Sequence, residues 1–229
     1  MSMDISVIIP VLNEERNINR AIDAVFAQKF YGSIEIIVVD GHADATTLGR
    51  IKNKKVIQLN ASAGRGTQMN AGAGAASGKV LLFLHCDTVL PMGALTAIHK
   101  TMAQSTIKAG AFDLSIDSPG RLFRMIEKSA SLRSRITRIP YGDQAIFIEK
   151  NFFFKVGQYS PIPIMEDVDL MRKLKKNKGR IQILDLPVIT SARRWKKEGL
   201  LYCTLRNWTL LTFFFLGVKP QTLVKLYKS

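Results

Sequence analysis

Cysteine is scarce in this chain: Cys86 and Cys203 are the only two in 229 residues. They form no metal-ligand spacing and are too few for a disulfide framework, so both read as reduced core thiols. Long apolar runs are missing as well, since the uncharged stretch Trp208 to Val218 is shorter than the roughly 20 residues a bilayer-spanning helix needs. Met1-Ser2-Met3-Asp4 leads straight into a strand-like segment without the basic and apolar regions of a secretory signal, so a cytoplasmic body is expected. There is no internal repeat, low-complexity tract or long linker. Acidic residues are outnumbered, 18 against 33 Lys and Arg, giving a net charge of +15 and a pI near 10.0. Such a charge calls for a polyanion, whether nucleic acid, anionic lipid headgroups or phosphorylated substrates. No zinc spacing, recognition-helix signature or aromatic RNA-binding string supports nucleic acid. The run Lys173 to Lys178 is expected to solvate an exposed helix face.

What is present suits one substantial core. With 47% hydrophobic residues, residues 1–195 read as one domain and 196–229 as a C-terminal helical appendage. Val80 to Leu84 is an apolar run that stops on His85-Cys86-Asp87-Thr88. Five apolar residues in a row fit a strand buried on both faces, and such strands end where ligands bind, which makes Asp87 the first candidate metal ligand. Two more strands, Asp4 to Pro10 and Ile34 to Asp40, also finish at polar loops, so a mostly parallel sheet flanked by helices follows. Pro10 is expected to end the first strand, and Asn13-Glu14-Glu15 to cap a helix carrying Ile18, Ala21, Ile22, Val25 and Phe26. Asp44 is expected to cap a helix led into by Thr46 and Thr47, and Pro91 to open another.

The small-residue segment 63–78 predicts a loop and then a helix packed closely on the sheet, with Arg65 near a glycine-flanked helix start where it can meet a phosphate. Residues 119–136 read as an amphipathic basic helix on Leu122, Met125, Ile126, Ala130 and Leu132. Pro140 to Gln144 predicts a turn, and Met165 to Leu174 a helix with three acids in its first turns, a pattern that dipole pairing explains unaided. The basic, aromatic C-terminal part fits either a buried helix or one lying in a membrane interface, with Arg206, Lys219, Lys225 and Lys228 on headgroups.

The strings SVIIPVLNEERNI, IIVVDGHADAT, GRGTQMNAGAGAASGKVLLFLHCDT, YGDQ, MEDVDL and SARRW, in that order, resemble the family-2 glycosyltransferases of the GT-A fold along nearly the whole chain. LHCDT, PYGDQ, MEDVDL and TSARRW further resemble a small bacterial subgroup labelled arsenosugar-biosynthesis-type glycosyltransferases. The resemblance implies an α/β nucleotide-binding sheet and an inverting transfer from a nucleotide-diphosphate sugar to an acceptor hydroxyl. By it, Pro10, Glu14 and Asp40 line the base and ribose pocket, while Arg65 and Asn70 sit near the nucleotide. Asp87, with His85, would hold Mn²⁺ or Mg²⁺, Asp167 of the Glu166-Asp167 pair would be the general base, and Tyr141, Asp143 and Gln144 would face the acceptor. Arg193, Arg194 and Trp195 resemble a pair found near diphosphate and acceptor; a simple cation-π contact at a helix start is the alternative.

Two departures stand out. His85 occupies the place of the family motif's first Asp, which leaves one carboxylate and a ligand that suits Mn²⁺ better than Mg²⁺. The loop DGHADAT replaces a Ser and a second Gly, so His42 and Ala45 reshape the donor pocket. A nucleotidyltransferase and a non-catalytic nucleotide-sugar-binding protein are the competing readings; the first lacks its early Gly-rich phosphate loop. Peripheral attachment at the inner face of the membrane is the expected refinement of location.

Overall fold

A computed structural model describes residues 3–228, with the side chain of Lys228 outside the described part. The frame is set by three largely buried strands, β1 (Ile5–Val11), β2 (Ile34–Asp40) and β4 (Val80–Phe83). They lie parallel, Ile5 beside Ile34 and Val80, Ile8 beside Ile37 and Phe83. β3 (Ile57–Asn60) extends this block parallel to β2. On the other side come β7 (Phe147–Glu149), antiparallel to β4, then β6 (Ile107–Asp117), β8 (Arg180–Ser191) and the two-residue β5 (Thr88–Val89), giving the order β3-β2-β1-β4-β7-β6-β8-β5.

Side chains alternate across the sheet as strand geometry requires. Ile8, Ile37, Val39, Leu81 and Phe83 face one core layer, under α2 (Arg65–Ala75) and α6 (Glu166–Lys176). Val7, Ile9, Ile36, Val38 and Leu82 face the other, under α1 (Ile18–Phe26) and α3 (Ala94–Met102). Each such buried aliphatic contributes roughly 1.5–3 kcal/mol. α2 sits close because of Gly72, where a Cβ would stand 2.5 Å from Ile8 Cγ2. This is the packing role that the small-residue segment suggests.

Several local expectations need correction. Pro10 does not end β1, which runs on to Val11; position 10 lies opposite Val39. Asn13 is not a cap: its φ of 58° is left-handed, the chain turns through Glu14, and α1 starts at Ile18 after Asn17 with no acid in its first turn. Asp44 caps nothing, because Thr47 precedes only a 3₁₀ turn at Leu48–Arg50. Pro91 precedes α3 by a turn, with Gly93 as the cap position. In the lysine run, Lys173 is drawn inward to the Ser160 hydroxyl (2.7 Å), the Gln158 carbonyl (2.9 Å) and Asp169 (3.2 Å).

α4 (Arg121–Thr137) forms where expected, yet its buried residues are Glu127 and Ser134, while Leu122, Met125, Leu132 and Ile136 face outward. α5 (Lys150–Lys155) and α7 (Arg193–Glu198) are short connectors. α8 (Leu200–Phe215) buries Cys203, Leu210 and Phe214 and exposes Leu201, Leu205, Trp208 and Phe215. α9 (Pro220–Lys228) adds Leu223, which joins Leu210 and Phe214 in the α2/α6 core layer. Among the described residues, no helix is long and apolar enough to cross a membrane.

Candidate active site

Ligands in α/β sheets collect beyond the carboxyl ends of parallel strands. Here β1 delivers Glu14, β4 delivers His85 and Asp87, and β8 delivers Thr190 and Ser191 followed by Arg193, Arg194 and Trp195 of α7. With Arg65 at the start of α2, Tyr141 to Asp143 before β7 and Asp167 at the start of α6, these side chains line one cavity of about 490 Å³. Met165 (φ 66°) in its wall and Ala145 (φ 49°), two residues beyond Asp143, are non-glycine residues in left-handed backbone. Such strain is retained where surrounding contacts over-determine it.

The charges in the cavity are already engaged with one another. Arg193 Nη2 lies 3.2 Å from both Glu14 Oε1 and Asp87 Oδ2. Asp167 Oδ2 accepts the Gly142 N–H at 2.7 Å, and Oδ1 accepts the Val168 N–H at 2.7 Å, which fixes the carboxylate at the helix start. Glu166 is buried and pairs with Arg65 Nε at 2.9 Å; burial pushes its carboxyl up against the pull of that guanidinium. Burial, reinforced by Arg65, pushes His85 down to about 4, so its imidazole is neutral at neutral pH and keeps a lone pair. Burial pushes Asp143 up to about 6 and the Tyr141 phenol up to about 12, although Arg133 stacks 3.4 Å over the Tyr141 ring.

Other expected residues lie outside the cavity wall. Asp40 is fully buried and accepts the N–H groups of His42 and Thr47 at 2.9 Å each, so it shapes the loop after β2. Asn70 clamps the backbone of Tyr159, donating to its carbonyl at 2.9 Å and accepting its N–H at 3.1 Å. Gln144 is buried and ties Ser134, Tyr141 and Phe112 together. Pro10 remains in β1 and Glu166 acts on Arg65 from behind. The C-terminal helices supply wall residues that no motif marked: Glu198, Cys203, Asn207, Leu210 and Tyr227. Arg194 stacks on Tyr227 at 5.0 Å. Burial raises both thiols, Cys86 to about 12, which removes them as nucleophiles.

The fit of a divalent ion is narrow. Among the described residues no group of three or more His, Cys, Asp and Glu is placed to hold a metal. Asp87 and the neutral His85 are two donors on one cavity wall, a set suited to an ion that keeps waters and takes its remaining ligands from phosphate.

Residues 6–161 match the family described as glycosyl transferase family 2. The succinoglycan biosynthesis protein ExoO of Rhizobium meliloti is 29% identical over 163 residues, 66% of this chain and 44% of that protein. An uncharacterized glycosyltransferase of Nostoc sp. is 38% identical over 96 residues, 38% of this chain and 29% of the relative. The chain thus spans less than half the length of these curated relatives. Among solved structures, S. aureus TarS 1-349 in complex with UDP superposes with a TM-score of 0.66 at 18% identity, covering 82% of this chain and 60% of that one. The mannosyltransferase PcManGT from Pyrobaculum calidifontis, in complex with GDP-Man and Mn²⁺, gives 0.66 at 16% identity, covering 83% and 57%. At these identities the likeness is one of fold: the α/β GT-A fold with its mostly parallel, helix-flanked sheet.

Proposed function

The chain belongs to glycosyl transferase family 2, and from that premise we propose that its cavity moves a sugar from a nucleotide-diphosphate sugar to an acceptor hydroxyl with inversion at the anomeric carbon. The observation that carries this reading is the convergence of Asp87, Asp167, Arg65, Arg193 and Arg194 on one cavity. The acceptor oxygen forms a bond to the anomeric carbon as the bond from that carbon to the diphosphate oxygen breaks. The electron pair leaves with the diphosphate, whose charge the arginines balance, and the hydroxyl proton passes to Asp167. Asp87 and His85 would hold Mn²⁺ or Mg²⁺, which when bound adds charge neutralisation on the diphosphate.

The nucleotide belongs toward the ends of β1 and β2, where Glu14 borders the loop that Asp40 organises; Pro10 and Asn70 would act from behind, within β1 and through the Tyr159 backbone. Gln144 holds Tyr141 and Asp143 toward the acceptor. That the neighbouring structures are complexes with UDP and with GDP-Man and Mn²⁺ supports the donor class without choosing its base. The strings LHCDT, PYGDQ, MEDVDL and TSARRW support membership in the arsenosugar-biosynthesis-type subgroup. We place the transfer chemistry in residues 1–195, with 196–229 closing one wall and resting on an anionic membrane at the cytoplasmic face.

A thermal-shift screen with UDP, GDP and ADP sugars tests the donor, since a ligand at a hundred times its Kd stabilises by roughly 2.7 kcal/mol. Mn²⁺-dependent hydrolysis of the stabilising sugar then separates an enzyme from a binding protein. Stabilisation by none of them would remove the reading.

A further inference from the structure

A second cavity, about 470 Å³, runs between α4 and α8 and is lined mainly by Leu114, Ile126, Leu132, Ile136, Trp208 and Leu211. It shares Tyr141, Asp143, Trp195 and Asn207 with the catalytic cavity, so the two adjoin across these side chains. At and beside that junction four solvent-shielded polar atoms lack a hydrogen-bond partner among the described residues: Arg133 Nε, Tyr141 Oη, Asp143 Oδ1 and Trp195 Nε1. Buried polar atoms are normally satisfied, and exceptions cluster where a ligand or water completes them. A hydroxyl does so with economy, donating to Asp143 Oδ1 while accepting from Trp195 Nε1. A phosphate could pair with Arg133 but, only accepting, would leave Asp143 Oδ1 unmet. Along the groove, Leu132 is 58% exposed, Ile136 73% and Trp208 56%. A contiguous apolar patch of this kind marks a surface that something covers, and an apolar lining with a few placed polar groups is the usual build of a small-molecule site.

We propose that the acceptor is an amphiphilic alcohol whose hydroxyl end sits at Tyr141, Asp143 and Trp195 and whose apolar body lies in the α4–α8 groove. This rests on the sugar-transfer reading and names its acceptor class. That the groove shares wall residues with the cavity holding Asp167 favours an acceptor over a passive lipid contact, because a hydroxyl end seated at those residues lies at the border of the catalytic cavity.

The chain carries its own probe, since its two tryptophans, Trp195 and Trp208, both line the groove. Octyl β-glucoside, kept below its micelle concentration, is titrated against tryptophan emission beside methyl β-glucoside, which has the same hydroxyls and no tail. The expected result is a saturable blue shift with octyl glucoside only, weakened about tenfold or more in Ile136→Asp. Ile136 is exposed, so the variant keeps its fold. No saturable shift, an equal response to methyl glucoside, or an undiminished response in both Ile136→Asp and Leu132→Asp overturns the proposal. So does a dimer, seen by sedimentation velocity, that Ile136→Asp dissociates, because the groove then belongs to a second copy. UDP and GDP binding is read separately by calorimetry. Its absence removes the sugar-transfer reading, whereas intact nucleotide binding without a tail-dependent shift removes the acceptor groove alone.

Discussion

Arg193 Nη2 stands 3.2 Å from Asp87 Oδ2, and the same nitrogen is equally far from Glu14 Oε1, so a side chain from the far end of the sheet holds two acids together. A divalent ion seeking Asp87 must displace or share that guanidinium. Arg193→Ala is therefore expected to tighten the binding of Mn²⁺ alone and to weaken that of nucleoside diphosphate with Mn²⁺. Asp87→Ala is expected to abolish metal-dependent nucleotide binding with the fold intact, since Asp87 lies beyond a strand end rather than in the core. Mn²⁺ titration followed by electron paramagnetic resonance, paired with calorimetry, reads both. Unchanged metal-dependent affinity in Asp87→Ala would reject its assignment.

Asp167→Asn keeps the volume and can accept one of the two backbone N–H groups, that of Gly142 or that of Val168, but it cannot take a proton. Turnover is expected to fall by roughly two to four orders of magnitude with donor affinity almost unchanged. Glu166→Gln disturbs only the pairing with Arg65 behind the cavity and should be milder. Kinetics on the two variants with one donor and acceptor decide; a fully active Asp167→Asn would move the base elsewhere.

Asp143 gives a pH dependence of definite sign. Its carboxyl, ordinarily near 3.8, is raised to about 6 by burial. Between these values the folded chain binds more protons than the unfolded one, so this group's contribution declines as pH rises through that window and is flat above it. Asp143→Asn removes the penalty. The variant should be more stable than the parent by about 1–3 kcal/mol near pH 8, with the difference vanishing below about pH 4. Urea denaturation at the two pH values measures it, and an equal stability at both would show that the burial cost is met by another group.

The exposed Trp208, Phe213 and Phe215, followed along the chain by the exposed Lys219 and Lys225, motivate attachment to anionic bilayers. Flotation with liposomes at low salt should carry the protein up with anionic lipid and leave it behind with neutral lipid. Failure to float in both would leave α8 as a packing element only.

The buried strands were legible because a double-faced apolar run has few alternatives: Ile34 to Asp40 is read from sequence at both ends as it is found. Caps were less so. The polar residues Asn13 to Glu15 look like a helix start, but Glu14 is spent on Asn17 and Arg193, contacts made across 3 and 179 residues. Amphipathic spacing located α4 and could not say which of its apolar residues turn inward, since Glu127 is buried to receive the Ile116 N–H at 2.6 Å. Motif strings named the cavity's strand-end residues; Asn207 and Tyr227 reach the same cavity from helices whose pattern records only packing.

The long reach of Arg193 also has a meaning in time. Asp87 leaves the ribosome 106 residues before its cation does, an interval on the order of 5–20 s at usual elongation rates. β1, β2, β3 and β4 can associate during that interval, whereas the partner of β5, Thr190 of β8, is still unmade. Until then Glu14 and Asp87 lack the guanidinium that bridges them in the folded chain. Synthesis of residues 180–193 then brings both the strand that pairs with β5 and the guanidinium that pairs with the two acids.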